Sequence, residues 1–182
     1  MILSSLRATA VLLLLCCVAY PAVVTGVAQV AFPYAANGSI LEGGVGSERI
    51  GQAFTQPAYL QGRPSAVGYD ASTSSGSNYG VSSEKLAERR AADRVRLATE
   101  TGGAEVPEVL LAASASGLDP DVPPEAARWQ LPRIAAARGV DVARVEALLD
   151  EQVEGRTFGV FGEPHVNVLA FNLALDRRFP VR

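Results

Sequence analysis

From Ala8 to Leu41 the chain carries no charged residue. No other feature constrains the fold as strongly. Its most apolar part, Ala8 to Phe32, has the length of roughly 20 or more residues that crosses a hydrocarbon core. The leucine run Leu12 to Leu15 and the valines beyond it favour insertion. This gives a cytoplasmic N-terminus at 1–7, a transmembrane helix at 8–32 and a soluble domain at 33–182. Pro21 falls mid-span, where neighbouring helices can satisfy the carbonyl it frees. Tyr20 is central too and calls for a protein neighbour. Phe32 and Tyr34 stand where interfacial aromatics are expected. Arg7 is the one charge before the block, and the positive-inside rule places it in the cytoplasm and the domain outside. The rival reading is a cleaved signal peptide. Arg7 would be its positive n-region and Gly26-Val27-Ala28 its small-x-small cleavage site. The apolar stretch is, however, longer than the usual h-region of about 7–15 residues.

Charge narrows the function of the domain. The whole chain has net charge −3, and without Arg7 the remainder holds fifteen basic against nineteen acidic residues, net −4. A nucleic-acid surface needs a clustered basic excess, so no nucleic-acid partner is expected. The two cysteines, Cys16 and Cys17, both lie in the apolar block. The domain therefore has neither a disulfide framework nor a cysteine metal site.

The domain reads as α+β, a small mixed α/β unit with a small sheet and about three helices. Asn37 to Gly46 is a glycine-rich connector. Ser47 to Phe54 is expected to be a short strand, and Gln61-Gly62-Arg63-Pro64 a turn. Ala71 to Gly80 is small, polar and unpatterned, hence a long loop of the kind often used for function. A helix spans Ser83 to Glu100, capped by Ser82 or Ser83 and stopped by Gly102-Gly103. Its dense charges suit a solvated face. Val106 to Ala113 is a short apolar run. Pro123-Pro124-Glu125 opens a helix to Arg138, which Pro132 should kink or interrupt. Gly139 ends it. Asp141 caps a further helix to Glu154, with Ala143, Val145, Leu148, Leu149 and Val153 as its buried side. Val166 to Leu169 alternates as a strand does, and Asn172 to Asp176 either continues it or turns into a helix.

Most catalytic patterns are missing. There is no phosphate-binding loop of the Gly-x4-Gly-Lys-Ser/Thr kind, no dinucleotide fingerprint and no Gly-x-Ser-x-Gly elbow. A serine triad would need His165, the one histidine, with Ser114, Ser116 or a loop serine as nucleophile and Asp119 as orienter. Glu163-Pro164-His165 is turn-like, which argues for a surface histidine. The helices either side of Gly139 have helix-turn-helix spacing, more often plain packing than DNA reading. Asp119, Asp121 and Glu125 cluster in one loop; metal binding there is conceivable, but a solvated loop with N-capping carboxylates is the plainer reading, and no metal site is expected.

Several unpatterned stretches remain: Gly51-Gln52-x-Phe54, Gly62-Arg63-Pro64-Ser65-Ala66, Ser75-Gly76-Ser77-Asn78 and Ala113-Ser114-x-Ser116-Gly117-Leu118-Asp119-Pro120. The helix start Pro124-Glu125-Ala126-Ala127, the turn Arg138-Gly139 and Gly162-Glu163-Pro164-x-Val166-Asn167-Val168-Leu169 complete the series. In that order they resemble the C subunit of the Kdp potassium-transporting P-type ATPase, over nearly the whole chain. Ala115, His165, Tyr79 and Pro132 depart from the family pattern.

The resemblance implies a non-catalytic subunit of a complex for high-affinity, ATP-driven potassium uptake. Its partners would be a channel-like potassium-binding subunit, a P-type ATPase subunit and a small helical subunit in the cell membrane. Such a C subunit has been regarded as a catalytic chaperone that raises the ATP affinity of the ATPase subunit. It holds no tightly bound cofactor but can share ATP transiently with that subunit. The resemblance also implies a nucleotide-associated loop at Ser114, Ser116 and Gly117, and partner contacts at Arg63, Ser65, Asn78, Asp119, Glu163 and Asn167. The topology pulls the other way, since an external domain does not meet cytoplasmic ATP. An extracytoplasmic cap or binding module without a nucleotide role is the alternative. An uncleaved span suits such a complex, with Tyr20, Pro21 and Gly26 as packing positions against partner helices.

Overall fold

The chain divides into two units, Met1–Ser47 and Glu48–Arg182, and the computed structural model describes residues 2–181. The first unit is dominated by one apolar helix, α1, Ile2–Ala31, of 30 residues. At 1.5 Å per residue it is about 45 Å long, more than the ~30 Å of a hydrocarbon core. Its leucines, Leu12 to Leu15, are exposed. Within α1 the stretch Leu14–Ala19 is π-helical, and the Tyr20 N–H bonds the Leu15 carbonyl. Pro21 comes directly after. A proline has no N–H for the carbonyl four residues earlier, and its ring crowds that carbonyl. The wider π turn gives the ring room, so the helix continues instead of breaking. A short helix α2, Pro33–Ala36, comes next. Ile40 then pairs with Ser47 in an isolated antiparallel bridge.

The strand expected over Ser47 to Phe54 does not form. Ser47 pairs in that isolated bridge, and residues 48–54 are irregular. The reason is visible at Gly51. Its N–H bonds the Leu118 carbonyl at 2.9 Å, and a Cβ there would stand 2.4 Å from the Asp119 carbonyl oxygen. The segment is pressed against a loop, not paired along a sheet edge.

In the second unit, α3, Glu84–Glu100, starts at Ser83, whose hydroxyl makes no capping bond, contrary to expectation. It ends as expected at Gly102 and Gly103. Both have positive φ, and the Gly103 N–H closes on the Ala98 carbonyl at 2.7 Å, the bond that satisfies a helix's last turn. Only Leu97 of α3 is buried, so its charges are indeed largely solvated. Val106 to Ala113 contains a single 3₁₀ turn, Glu108–Leu110. Arg90 and Arg94 both pair with Glu108, tying that turn to α3.

The two strands β1, Asp121–Val122, and β2, Val166–Asn167, pair antiparallel with Asp121 opposite Asn167 and Val122 opposite Val166. Helix α4, Pro124–Arg138, runs unbroken through Pro132, where a kink was expected. Pro132 and Arg128 are both exposed, so the carbonyl left without a donor belongs to a residue within reach of water. Gly139 closes α4 at φ 65°. Asp141 caps α5, Val142–Glu151, by accepting from the Ala143 N–H at 2.8 Å. This helix ends short of the expected Glu154. It buries Val145, Leu148 and Leu149, while Ala143 is exposed. The strand expected through Leu169 stops at Asn167. The Asn167 Oδ1 accepts from the Ala170 N–H at 3.0 Å and starts helix α6, Val168–Arg178. The fold is α+β, with a two-stranded sheet against a helical layer.

The main core gathers Leu131, Ile134 and Ala135 of α4, Val145, Leu148 and Leu149 of α5, and Val168, Phe171 and Leu175 of α6. Leu60 is buried in the same cluster although it belongs to no helix or strand. Its backbone is held by a side chain. Asn172 accepts from the Leu60 N–H at 2.8 Å and donates to its carbonyl at 2.9 Å. Gln130 does the same for Gln61, at 2.9 and 3.0 Å. Arg133 donates to the Pro57 and Tyr59 carbonyls and Arg138 to that of Ala58. Residues 57–61 thus behave as a strand whose partners are side chains. Buried backbone groups must be paired somewhere, and here helices α4 and α6 supply the pairing.

Asn172→Ala would leave the Leu60 N–H and carbonyl buried without partners, each costing about 1–3 kcal/mol. A loss of about 3 kcal/mol in the unfolding of the full chain in detergent is expected. Arg128→Ala, which removes only exposed ion pairs to Glu146 and Asp150, should cost under about 1 kcal/mol. Equal losses would contradict the pinning of residue 60.

Candidate functional site

The pinned segment delivers Arg63 and Ser65 to a junction of loops. Arg63 is half-buried and pairs with Asp119 at 3.0 Å. It also donates from Nε to the Ala112 carbonyl at 3.2 Å. The Ser114 N–H bonds the Pro64 carbonyl at 3.0 Å, so the two loops are joined by main chain as well as by charge. Ser65 Oγ donates to the Gly117 carbonyl at 2.6 Å and accepts from the Tyr69 N–H at 2.9 Å.

The serine loop closes on itself. The Ser114 and Ser116 hydroxyls lie 3.0 Å apart. Ser114 Oγ accepts from the Gly117 N–H at 3.2 Å and Ser116 Oγ from the Leu118 N–H at 3.1 Å. The long polar loop packs here too: Ser74 Oγ donates to the Ser116 carbonyl. Gly117 sits at φ 70°, and a Cβ there would stand 2.6 Å from Val67 Cγ2 and 2.7 Å from the Ser75 carbonyl. Only glycine suits both the backbone and the space.

Tyr69 completes the junction and was not singled out from sequence. Its hydroxyl donates to the Arg63 carbonyl, and a Cβ on Gly62 would meet that hydroxyl at 2.7 Å. Burial, with Asp119 nearby, pushes its pKa up to about 12. Gly62 and Tyr69 are thus a fitted pair whose signal in the sequence was only the turn-forming glycine.

The junction brings together Arg63, Ser65, Ser114, Ser116, Gly117 and Asp119. The other predicted contact residues lie elsewhere. Asn78 is exposed, with a left-handed backbone at φ 53°. Asn167 lies in the two-stranded sheet, where its Nδ2 donates to Asp121 at 3.0 Å and to the Glu48 carbonyl at 2.8 Å. Burial raises the Asp121 carboxyl above its usual range, against the opposing pull of His165 and Asn167. Glu163 is exposed and pairs with Arg156 at 2.7 Å. His165 pairs its backbone with Glu154 and turns its Nε2 toward Glu154 and Asp121, at 3.7 and 4.0 Å. Its surroundings are carboxylates, not the serines a triad requires. Gln130 and Arg133 were missed as well, and Arg138 and Asn172 stood only in quoted stretches, with no role assigned. Gln130 and Arg133 could have been found, being polar residues inside the apolar stripe of α4.

The structure defines a chain with one apolar helix of membrane-crossing length joined to a small α+β domain whose loops meet in a junction of mutually bonded polar groups. Comparison with known proteins gives its family. The family model described as "KdpC: K+-transporting ATPase, c chain" matches residues 2–177. The potassium-transporting ATPase KdpC subunit of Myxococcus xanthus is 54% identical over 97% of this chain and 88% of its own length. That of Caulobacter vibrioides is 52% identical over 89% and 85%, and that of Nitratidesulfovibrio vulgaris 51% over 94% and 91%. The chain belongs to the KdpC family of potassium-transporting ATPase subunits.

Gly117→Ala should destabilise the full chain by about 3 kcal/mol, combining a left-handed backbone with overpacking. Gly159→Ala, at φ 74° but in open space, should cost about 1 kcal/mol. Equal costs in denaturant unfolding would contradict the close approach at Gly117. Tyr69 makes a pH prediction. Its folded pKa, about 12, lies above the ordinary tyrosine value of 10.0. The neutral phenol is therefore favoured by folding, and its contribution is complete below pH 10 and lost as pH rises toward 12. Ultraviolet titration should show a late-ionising tyrosine that disappears in Tyr69→Phe. A Tyr69 that ionises with the exposed tyrosines would contradict its burial.

Proposed function

We propose that this chain is the non-catalytic accessory subunit of a high-affinity, ATP-driven potassium uptake complex. It is held in the cell membrane by Ile2–Ala31 as a single span, with Arg7 cytoplasmic and the domain extracytoplasmic. It assembles with a channel-like potassium-binding subunit, a P-type ATPase subunit and a small helical subunit. It acts as a catalytic chaperone that raises the ATP affinity of the ATPase subunit. The observation that carries this reading is the family match over residues 2–177 in a chain whose first helix is long and apolar enough to cross a membrane. In the junction Arg63, Asp119 and the hydroxyls of Ser65, Ser114 and Ser116 bond one another or nearby backbone.

Within this proposal Asn78 and Glu163, both exposed, suit direct partner contact. Arg63, Ser65, Asp119 and Asn167 hold the loops that present it. Any nucleotide is shared transiently, not tightly bound, and its use of Ser114, Ser116 and Gly117 requires the Ser114–Ser116 pair to open. The internal bonding of those groups favours a second reading, an extracytoplasmic cap with no nucleotide role. The net −4 beyond the apolar block would draw cations weakly to such a cap.

Potassium-stimulated ATP hydrolysis by the reconstituted complex tests the two. Omitting this chain should raise the ATP KM about tenfold, within the usual range of coupling between sites. An unchanged KM with a weakened potassium response would favour the cap. Protease digestion of the domain from the cytoplasmic face would overturn the topology.

A further inference from the structure

Residues 154–165 form a small hairpin that neither the junction nor the core uses. Glu154 pairs with His165 at its base, and Thr157 with Phe161 near its tip. Arg156 and Glu163 close its flank with two hydrogen bonds, at 2.9 and 2.7 Å. These bonds bridge the two arms of the hairpin. At the tip Phe158 is 91% exposed, Val160 69% and Phe161 68%. Elsewhere among the described residues of the second unit, large exposed apolar side chains come singly, as Val95 does, or at most as a near pair, Tyr79 and Val81. Three within four residues form a patch, and such patches mark contact surfaces.

The backbone at the tip points the same way. Phe158 has φ 54° and Gly159 φ 74°, and the Val160 N–H bonds the Thr157 carbonyl at 3.2 Å. Tight turns with two positive φ values favour Asn-Gly, and a bulky aromatic at the first position is disfavoured there. Phe158 therefore occupies a strained position while gaining no burial within the chain. A partner that buries it would offset that cost.

Charge discriminates between partners. Arg156 and Glu163 neutralise each other. Two carboxylates, Asp121 and Glu154, then face the single His165 at the base. Surfaces that dock on membranes carry basic residues toward anionic headgroups, and this one presents carboxylates. An apolar cleft with a basic rim on a protein fits both tip and base.

We propose that the Phe158–Phe161 tip is a docking finger that inserts into an apolar, basic-rimmed cleft on another subunit of the transport complex. This rests on the assembly proposed above. Two aromatic side chains buried at the centre of a contact have the character of binding hot spots.

The test uses the full chain co-expressed with the other subunits of its complex. A photo-reactive benzoylphenylalanine at position 158 should give an adduct with one of those subunits, identified by mass spectrometry. The same probe at position 81 should give at least about tenfold less. Adducts at 158 with lipid alone, or with a second copy of this chain, would overturn the proposal. The double variant Phe158→Asn, Phe161→Ser supplies the second arm. Asn suits the turn, so the melting temperature of the variant chain should match or exceed wild type. Its recovery in the assembled complex should fall at least tenfold, as expected for losing buried aromatic surface. Equal recovery of variant and wild type would sink the finger while leaving the assembly intact. Failure of the wild-type chain itself to co-purify would instead overturn the assembly reading, and the finger with it.

Discussion

The paired amide bonds of Asn172 with Leu60 and of Gln130 with Gln61 are the interactions on which the second unit's organisation depends. Residues 57–61 cross the core without a neighbouring strand. Each peptide unit there still needs a donor and an acceptor. A carboxamide offers both in the geometry of a peptide, so one Asn or Gln can stand in for a strand residue. Arg133 and Arg138, whose side chains are 5% and 0% exposed, extend the pairing with guanidinium donors. Arg138 also meets Asp176 at 2.9 Å and lies over the Tyr59 ring, so its buried charge is compensated on both sides.

From that pinned segment the chain enters the junction within two residues. Gly62 allows the Tyr69 hydroxyl close, Arg63 reaches Asp119, and Pro64 receives the Ser114 N–H. The serine loop is thus placed by the core through a short and stiff path. Its hydroxyls bond each other and the loop's own backbone, which gives the junction a defined shape.

Much of this was legible in the sequence, for identifiable reasons. The apolar helix was legible because a long stretch free of charge has few alternatives. Helices α4 and α5 were legible through Gly139 and Asp141, residues with strong cap preferences. The strand expected at 47–54 failed because nothing local reveals that Gly51 must lie against the Asp119 carbonyl. The strand expected through Leu169 failed because Asn167 reads equally as a strand residue and as a helix cap, and only its bond to Ala170 decides. Pro132 was expected to kink α4, but a proline on an exposed helix face leaves a carbonyl that water can satisfy. The junction was legible only as motifs. Ser65, Ser114, Ser116, Gly117 and Asp119 were named from their resemblance to a family, while Tyr69, which no motif marked, joins them in space. The side-chain pairing of Leu60 with Asn172 depends on residues more than a hundred positions apart. It had no local signal beyond polar residues in an apolar stripe.

Hydrogen exchange on the full chain tests most directly whether the pinned segment organises the junction. In the wild-type chain the Leu60 and Gln61 amides should exchange as slowly as those of α4 and α6, and the Ser114 and Gly117 amides should be protected as well. In Asn172→Ala, protection should fall at Leu60 and, with it, at Ser114 and Gly117. Loss at Leu60 with Ser114 and Gly117 unchanged would contradict the coupling between the core's side-chain pairing and the loops it presents.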